Sequence, residues 1–414
     1  LGKLTHHEFV YLLTALAAML VLSRLAAELG RLVKLPVVMG EIIIGIVLGP
    51  TILGHLSPHL YNSLFPLFGN VSIALDGITK ISVVMMLFVA GLEVQMQLVI
   101  KQGRAAISTS LLGMIIPFAV GYASAYYFPG FFENQDKDKF LYSLFFGTAM
   151  SISALPVIAR TLMDMNLFKT RIGMIIIASA MFDDLMGWLI FSLIMGMMGH
   201  GNDLKTIALD VASIIGFGLF MLTIGKKVID KSLPLIQRKF SWPGGVLSLS
   251  LGLCFICGAF TESIGFHAVL GSFIAGIAIG DSVKLKPKAR DIIHQFVTNV
   301  FAPLFFVSIG LKLNYFDNFN LSLVLAVLGI AIFGKVFGAT FGAKIGGFRW
   351  KESLAIGFGL NARGAMEIIL GSLALSAGLI NEKMFVALVI MAIITSLFSA
   401  PFIRLFVKNN EQIG

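Results

Sequence analysis

Apolar stretches of about 20 residues, separated by short clusters of charged and turn-forming residues, recur along the whole chain. They fall at roughly 7–28, 35–54, 76–99, 103–128, 139–164, 171–198, 205–229, 243–262, 266–281, 293–312, 319–345, 351–377 and 383–407. A helix of about 20 apolar residues spans a bilayer, and only 266–281 is short for one. The runs are neither brief nor alternating, which excludes a β-barrel. The pattern predicts an all-α polytopic membrane protein with about 13 transmembrane helices. The first run ends in Arg24 and Glu28 and does not read as a cleaved leader.

Charge orients these spans. With the N-terminus outside, the inner loops hold Arg31, Lys34; Lys101, Arg104; Arg160, Lys169, Arg171; Lys226, Lys227, Lys231, Arg238, Lys239; Lys284, Lys286, Lys288, Arg290; Lys344, Arg349, Lys351; and Arg404, Lys408. The outer segments hold six basic residues against 21 inside, which predicts N-out and C-in. Composition agrees. Hydrophobic residues make up 57% of the 414 and charged residues 13%, with mean hydropathy +0.92. Those values exclude a soluble domain, a disordered chain and a disulfide scaffold. The net charge of +9 is accounted for by basic inner loops, without a nucleic-acid partner. Cys254 and Cys257 lie inside an apolar run and read as small packing residues.

The chain also repeats. Gly40, Gly45 and Gly49 match Gly271, Gly276 and Gly280 at an offset of 231. Gly91-Leu92-Glu93 matches Gly310-Leu311-Lys312. The matched spans are seven apart, an odd number, so the second copy is expected upside down in the membrane. Inverted repeats are a signature of secondary transporters.

Several polar residues fall where lipid should be. Asp183 and Asp184 are adjacent near the middle of 171–198, where each charge costs roughly 3 kcal/mol or more. Lys335 lies roughly 16 residues into its span, too deep for easy snorkelling. The sequence from Gly329 to Lys335 matches the front of a phosphate-binding loop, but it has no preceding strand and no following Ser or Thr. Arg363 and Glu367 have the i, i+4 spacing of a helical ion pair, close to Asn361 and flanked by glycines. Ser151, Ser153 and Pro156 point to a second interruption, with Pro156 removing an internal hydrogen bond. Broken helices in corresponding halves mark a midplane ion site, to which Ser151 or Ser153 would lend hydroxyls. Asp183, Asp184 and Glu367 outnumber Lys335 and Arg363 by one charge, which leaves room for one monovalent cation or one proton. No cofactor or enzymatic chemistry is indicated. Adjacent aspartates on one helix diverge by about 100° and do not make an aspartic-protease pair.

The segments SISALPVIARTLMDMNLFKTRIG and ASAMFDD with its following Trp188 resemble the cation:proton antiporter-2 family. So do GEIIIGIVLGP, LFVAGLE, HAVLGSFIAGIAIG, GKVFGA and GLNARGAMEIIL, over residues 35–400. The resemblance implies the sodium/proton-antiporter fold: a dimerisation scaffold (1–100 and 243–313), a mobile ion-transporting core with two broken crossing helices (101–200 and 319–408), and a linker helix (203–242). It places the essential ion-binding acid on Asp184, and it pairs Asp183 with Lys335 as in electrogenic members. The implied function is monovalent cation/proton antiport, with the Asp-Asp pair leaning to electrogenic sodium exchange. A potassium/proton antiporter, or a gated potassium efflux system or channel of the same fold, remains the alternative. The partners implied are cation, protons, the lipid bilayer of a bacterial inner membrane, and a second copy of the chain. Many relatives carry a cytosolic nucleotide-binding regulatory domain after the last span; this sequence ends at Gly414.

Overall fold

The computed structural model describes residues 3–32, 37–66, 68–94, 103–134, 138–165, 167–168, 170–200, 204–264, 266–282, 284–312 and 314–407. Lys34, Lys101, Lys137, Lys169 and Lys408 of the charge pattern, and the 95–99 end of the third run, lie outside the described residues.

All regular structure among the described residues is helical. In chain order the helices are α1 (His6–Leu32), α2 (Val37–Leu48), α3 (Leu53–Leu56), α4 (Pro58–Leu64), α5 (Asn70–Glu93), α6 (Gly103–Tyr127) and α7 (Lys139–Ser151). There follow α8 (Leu155–Asp164), α9 (Arg171–His200), α10 (Leu204–Phe220), α11 (Lys226–Lys239), α12 (Gly244–Ser263) and α13 (Ala268–Gly280). The last are α14 (Pro287–Phe296), α15 (Ala302–Lys312), α16 (Leu321–Ile345), α17 (Trp350–Leu360), α18 (Ala365–Ser376) and α19 (Glu382–Phe406). Single π-helical turns at Met221–Gly225 and Val297–Phe301 join α10 to α11 and α14 to α15. Ten helical stretches among the described residues are long and apolar enough to cross a membrane, and two shorter ones are apolar.

The differences from the sequence expectation have simple causes. The run at 205–229 ends just past Lys226 and Lys227, yet helix continues to Lys239, and the run at 293–312 is preceded by helix from Pro287. In both cases the extension is amphipathic, so loss of hydropathy marks where the apolar environment would end and not where the helix ends. Helix starts follow capping chemistry: the side chains of Asp138, Asn320 and Asn381 accept hydrogen bonds from backbone N–H groups at the heads of α7, α16 and α19.

The chain divides into two compact units, Leu1–Gln95 with Asp203–Asp317, and Met96–Asn202 with Asn318–Gly414. Residues 203–242 group by contact with the first unit.

In the first unit the repeated glycines are contact points. A Cβ at Gly45 would lie 2.2 Å from the carbonyl oxygen of Val307 and 2.9 Å from Cα of Gly310. A Cβ at Gly276 would lie 2.1 Å from the carbonyl oxygen of Phe88 and 3.0 Å from Cα of Gly91. Gly45 matches Gly276 at the offset of 231, and both Val307 and Gly310 match Phe88 and Gly91 at a common offset of 219. Each half's first glycine helix therefore packs on the other half's second, with the same register. Direct backbone contact leaves no room for a side chain, which is why these positions are glycine.

In the second unit α16 lies along α6. Cβ atoms built at Gly334, Gly338 and Gly342 would collide with Pro117, Leu112 and Ser108 respectively. The two interruptions, between α7 and α8 and between α17 and α18, face one another in this unit. Around them lies an apolar core that includes Leu155, Ile158, Ile176, Phe348, Leu360 and Ala362.

Candidate ion-binding site

The site is built by ending two helices inside the protein. Each helix end leaves four carbonyls without intrahelical partners, and in an apolar environment each needs another donor. At the end of α7 every one finds it. Thr148 O accepts from Ser151 Oγ at 2.8 Å. Ala149 O accepts from Arg363 Nη1 at 2.6 Å, and Met150 O from Arg363 Nη2. Ser151 O accepts from Lys335 Nζ. The two buried cations are therefore caps of one broken helix as well as partners of carboxylates. Their positive charge also suits the negative pole of a helix C-terminus.

The second break is held in the same way. Leu360 O lies 2.8 Å from Ser153 Oγ, and Ala362 O accepts from Ala154 N at 2.9 Å. Arg363 O accepts from Ser396 Oγ, and Phe358 O from Ser399 Oγ at 3.2 Å. The Ala154–Ala362 hydrogen bond ties the two breaks together where they cross. Gly364 meets the start of α8 so closely that a Cβ would sit 2.8 Å from Val157 Cγ2.

Asp183 and Asp184, on α9, are 0% and 2% exposed. Asp183 is held on both oxygens. Oδ1 accepts from Ser110 Oγ of α6. Oδ2 lies 2.7 Å from Lys335 Nζ and 2.9 Å from Ser153 Oγ. The single proton of Ser153 thus has a choice between Asp183 and Leu360 O. Lys335 is completely buried, so the Asp183–Lys335 pair is a buried ion pair with hydrogen-bonded ends. Arg363 and Glu367 form a second pair through Nη1 and Oε1. Glu367 Oε2 and Asn361 Oδ1 are buried with no hydrogen-bond partner among the described residues.

The arrangement brings Asp183, Ser153, Lys335, Arg363 and Glu367 into one network, with Asp184 next in sequence to its central acid. Three sequence readings change. Ser151 contributes its carbonyl, because its hydroxyl turns back onto its own helix. Pro156 stands just after the expected interruption but removes no internal hydrogen bond, since it sits in the first turn of α8, where a missing N–H costs nothing. Arg363 and Glu367 do not share one helix face, since Arg363 lies in the break and reaches Glu367 across the start of α18. Ser110 and Ser396 went unnoticed in the sequence. A serine in an apolar span reads as a small packing residue, and only the fold shows which serines meet a buried charge. Glu41, another buried acid, belongs to the first unit, and its Oε2 has no hydrogen-bond partner among the described residues. No group of three or more His, Cys, Asp or Glu side chains suited to a resident metal occurs among the described residues.

Residues 15–408 match the model of the sodium/hydrogen exchanger transmembrane family. The chain belongs to this family. It is a family of secondary transporters, not enzymes, and the chain is an integral membrane protein with multiple spans. Among relatives of the exchanger, the Na(+)/H(+) antiporter NhaS4 of Synechocystis is 32% identical over 95% of this chain and 97% of its own. The Na(+)/H(+)-K(+) antiporter GerN of Bacillus cereus is 30% identical over 94% of each. Cation/H(+) antiporter 17 of Arabidopsis thaliana is 30% identical over 98% of this chain, which spans about half (50%) of that longer relative. The structure of the sodium proton antiporter MjNhaP1 of Methanocaldococcus jannaschii matches with a TM-score of 0.62 at 17% identity. That match covers 95% of this chain and 96% of that one, and shows a shared fold.

Proposed function

We propose that this exchanger-family chain is a monovalent cation/proton antiporter in which protons and cation compete for Asp184. The observation that carries this reading is the fully buried Asp183–Lys335 pair beside Asp184, at the crossing of two broken helices. Three acids against two bases leave one net negative charge, enough to neutralise one monovalent ion. Oxygen donors suit a small hard cation. The loaded or protonated site is close to neutral and crosses the membrane; the empty charged site does not, and this couples the two fluxes.

Thirteen spans in two oppositely oriented repeats, N-terminus outside and C-terminus in the cytoplasm of a bacterial inner membrane, complete the reading. The matched glycine contacts of the first unit and the 21-to-6 split of basic residues support it. The first unit then acts as a dimerisation scaffold, residues 203–242 as its link to the core, and the second unit as the core that carries the ion by alternating access. The Asp-Asp pair favours electrogenic sodium exchange. Potassium/proton exchange is the second reading, supported by the K(+)/H(+) antiporter 1 of Saccharomyces cerevisiae, 27% identical over 92% of this chain.

In proteoliposomes given only a proton gradient, the protein should accumulate cation against its own gradient. Asp184→Asn keeps the shape of the side chain and should abolish exchange of sodium, potassium and lithium alike. Cation that only runs down its gradient would identify a gated pore, and near-normal exchange by the variant would remove Asp184 from its role.

A further inference from the structure

On the side of α16 away from the glycine contacts with α6, an apolar groove of about 610 Å³ opens between α16 and α17. One wall is a row of phenylalanines, Phe333, Phe337 and Phe341, all exposed and stacked with centroids 5.7 and 6.0 Å apart. Trp350, at the head of α17, stands at one end of the groove and Gly329 at the other. From Gly329 to Phe341 the groove runs about 18 Å at 1.5 Å per residue. One leaflet of a bilayer has a hydrocarbon depth of about 15 Å.

One feature separates this groove from an ordinary lipid-facing surface, the group of cations at its mouth. Thr340 also lines it, but is only 6% exposed and turns its Oγ1 toward Gly357 of α17, away from the groove. One turn further along the same helix, Lys344 Nζ stands 5.4 Å from the Trp350 ring centroid, and the exposed Arg349 and Lys351 flank that tryptophan. The nearby acid, Glu352, already accepts from Arg349 N at 2.7 Å. A group of cations thus stands at the mouth of a long apolar slot.

We propose that the groove binds one anionic glycerophospholipid. Its acyl chain lies along the phenylalanine row, and its phosphate faces Lys344, Arg349 and Lys351. Basic residues near an anionic headgroup attract it, so charge selects the lipid. The bound lipid braces the helix whose opposite side holds Lys335. Binding does not depend on the transport mechanism and is measured without it.

Native mass spectrometry of the full chain, released from mild detergent containing equal phosphatidylglycerol and phosphatidylcholine, tests this. The wild type should retain one phosphatidylglycerol per chain, roughly tenfold over phosphatidylcholine. Gly329→Leu fills the end of the slot, where a Cβ meets nothing within 4 Å, and should fold normally but lose the retained lipid. Lys344→Gln with Lys351→Gln should keep a lipid but lose the preference for phosphatidylglycerol. Equal retention of the two lipids by the wild type, undiminished retention by Gly329→Leu, or an unchanged preference in the double variant would each overturn the proposal.

Discussion

At the scale of single residues, the buried charges do two jobs at once. Lys335 neutralises Asp183 and also caps Ser151 O; Arg363 neutralises Glu367 and caps Ala149 and Met150. This dual use explains why cations are tolerated where each costs several kcal/mol alone. The acids and Lys335 stood out in the sequence because charge inside an apolar run is rare. Their serine partners did not, because Ser110 and Ser396 differ in nothing but position from serines that merely pack. Lys335→Gln keeps a donor for Ser151 O but leaves Asp183 to Ser110 and Ser153. Removing one partner of a buried pair typically costs about 3–5 kcal/mol. The variant should melt at lower temperature in detergent and exchange fewer protons per cation. Wild-type melting together with wild-type stoichiometry would make Lys335 a bystander.

At the scale of elements, the long apolar helices were legible from periodicity and length, and the interruptions from Ser, Pro and Gly within apolar runs. The course of the chain inside each break was not, since a proline that starts a helix and one that kinks it look alike in sequence. The glycine repeat was visible as a spacing; that it encodes interlocked contacts of the same register was not. Those contacts set a test. Gly276→Val places a side chain into backbone atoms at 2.1–3.0 Å, an overpacking with no flexible neighbour to yield. It should destabilise by more than the usual 1–3 kcal/mol of an overpacked core, or prevent folding. Gly77→Val enters open space and serves as the control. Comparable thermal stability of the two variants would mean that the glycine contacts do not hold the first unit together.

At the scale of the molecule, two discontinuous units each draw on both halves of the sequence. Basic residues in the loops predicted orientation, but neither hydropathy nor charge reveals which segments group into a unit. If the first unit is a dimerisation scaffold, native mass spectrometry in nanodiscs should show two chains per particle, and a persistent monomer would count against it. The mechanism itself is tested most directly by the voltage at which exchange in proteoliposomes stands still. With equal pH on both sides and a tenfold sodium gradient, the sodium equilibrium potential is about 59 mV in magnitude. A gated pore balances at that potential. One-for-one exchange does not respond to voltage. Exchange of two protons for one sodium, with Lys335 releasing its proton as the cation binds, balances at the same magnitude with the opposite sign. The opposite-sign reversal is the expected result, and exchange that ignores voltage, or current that reverses at the sodium potential itself, would contradict it.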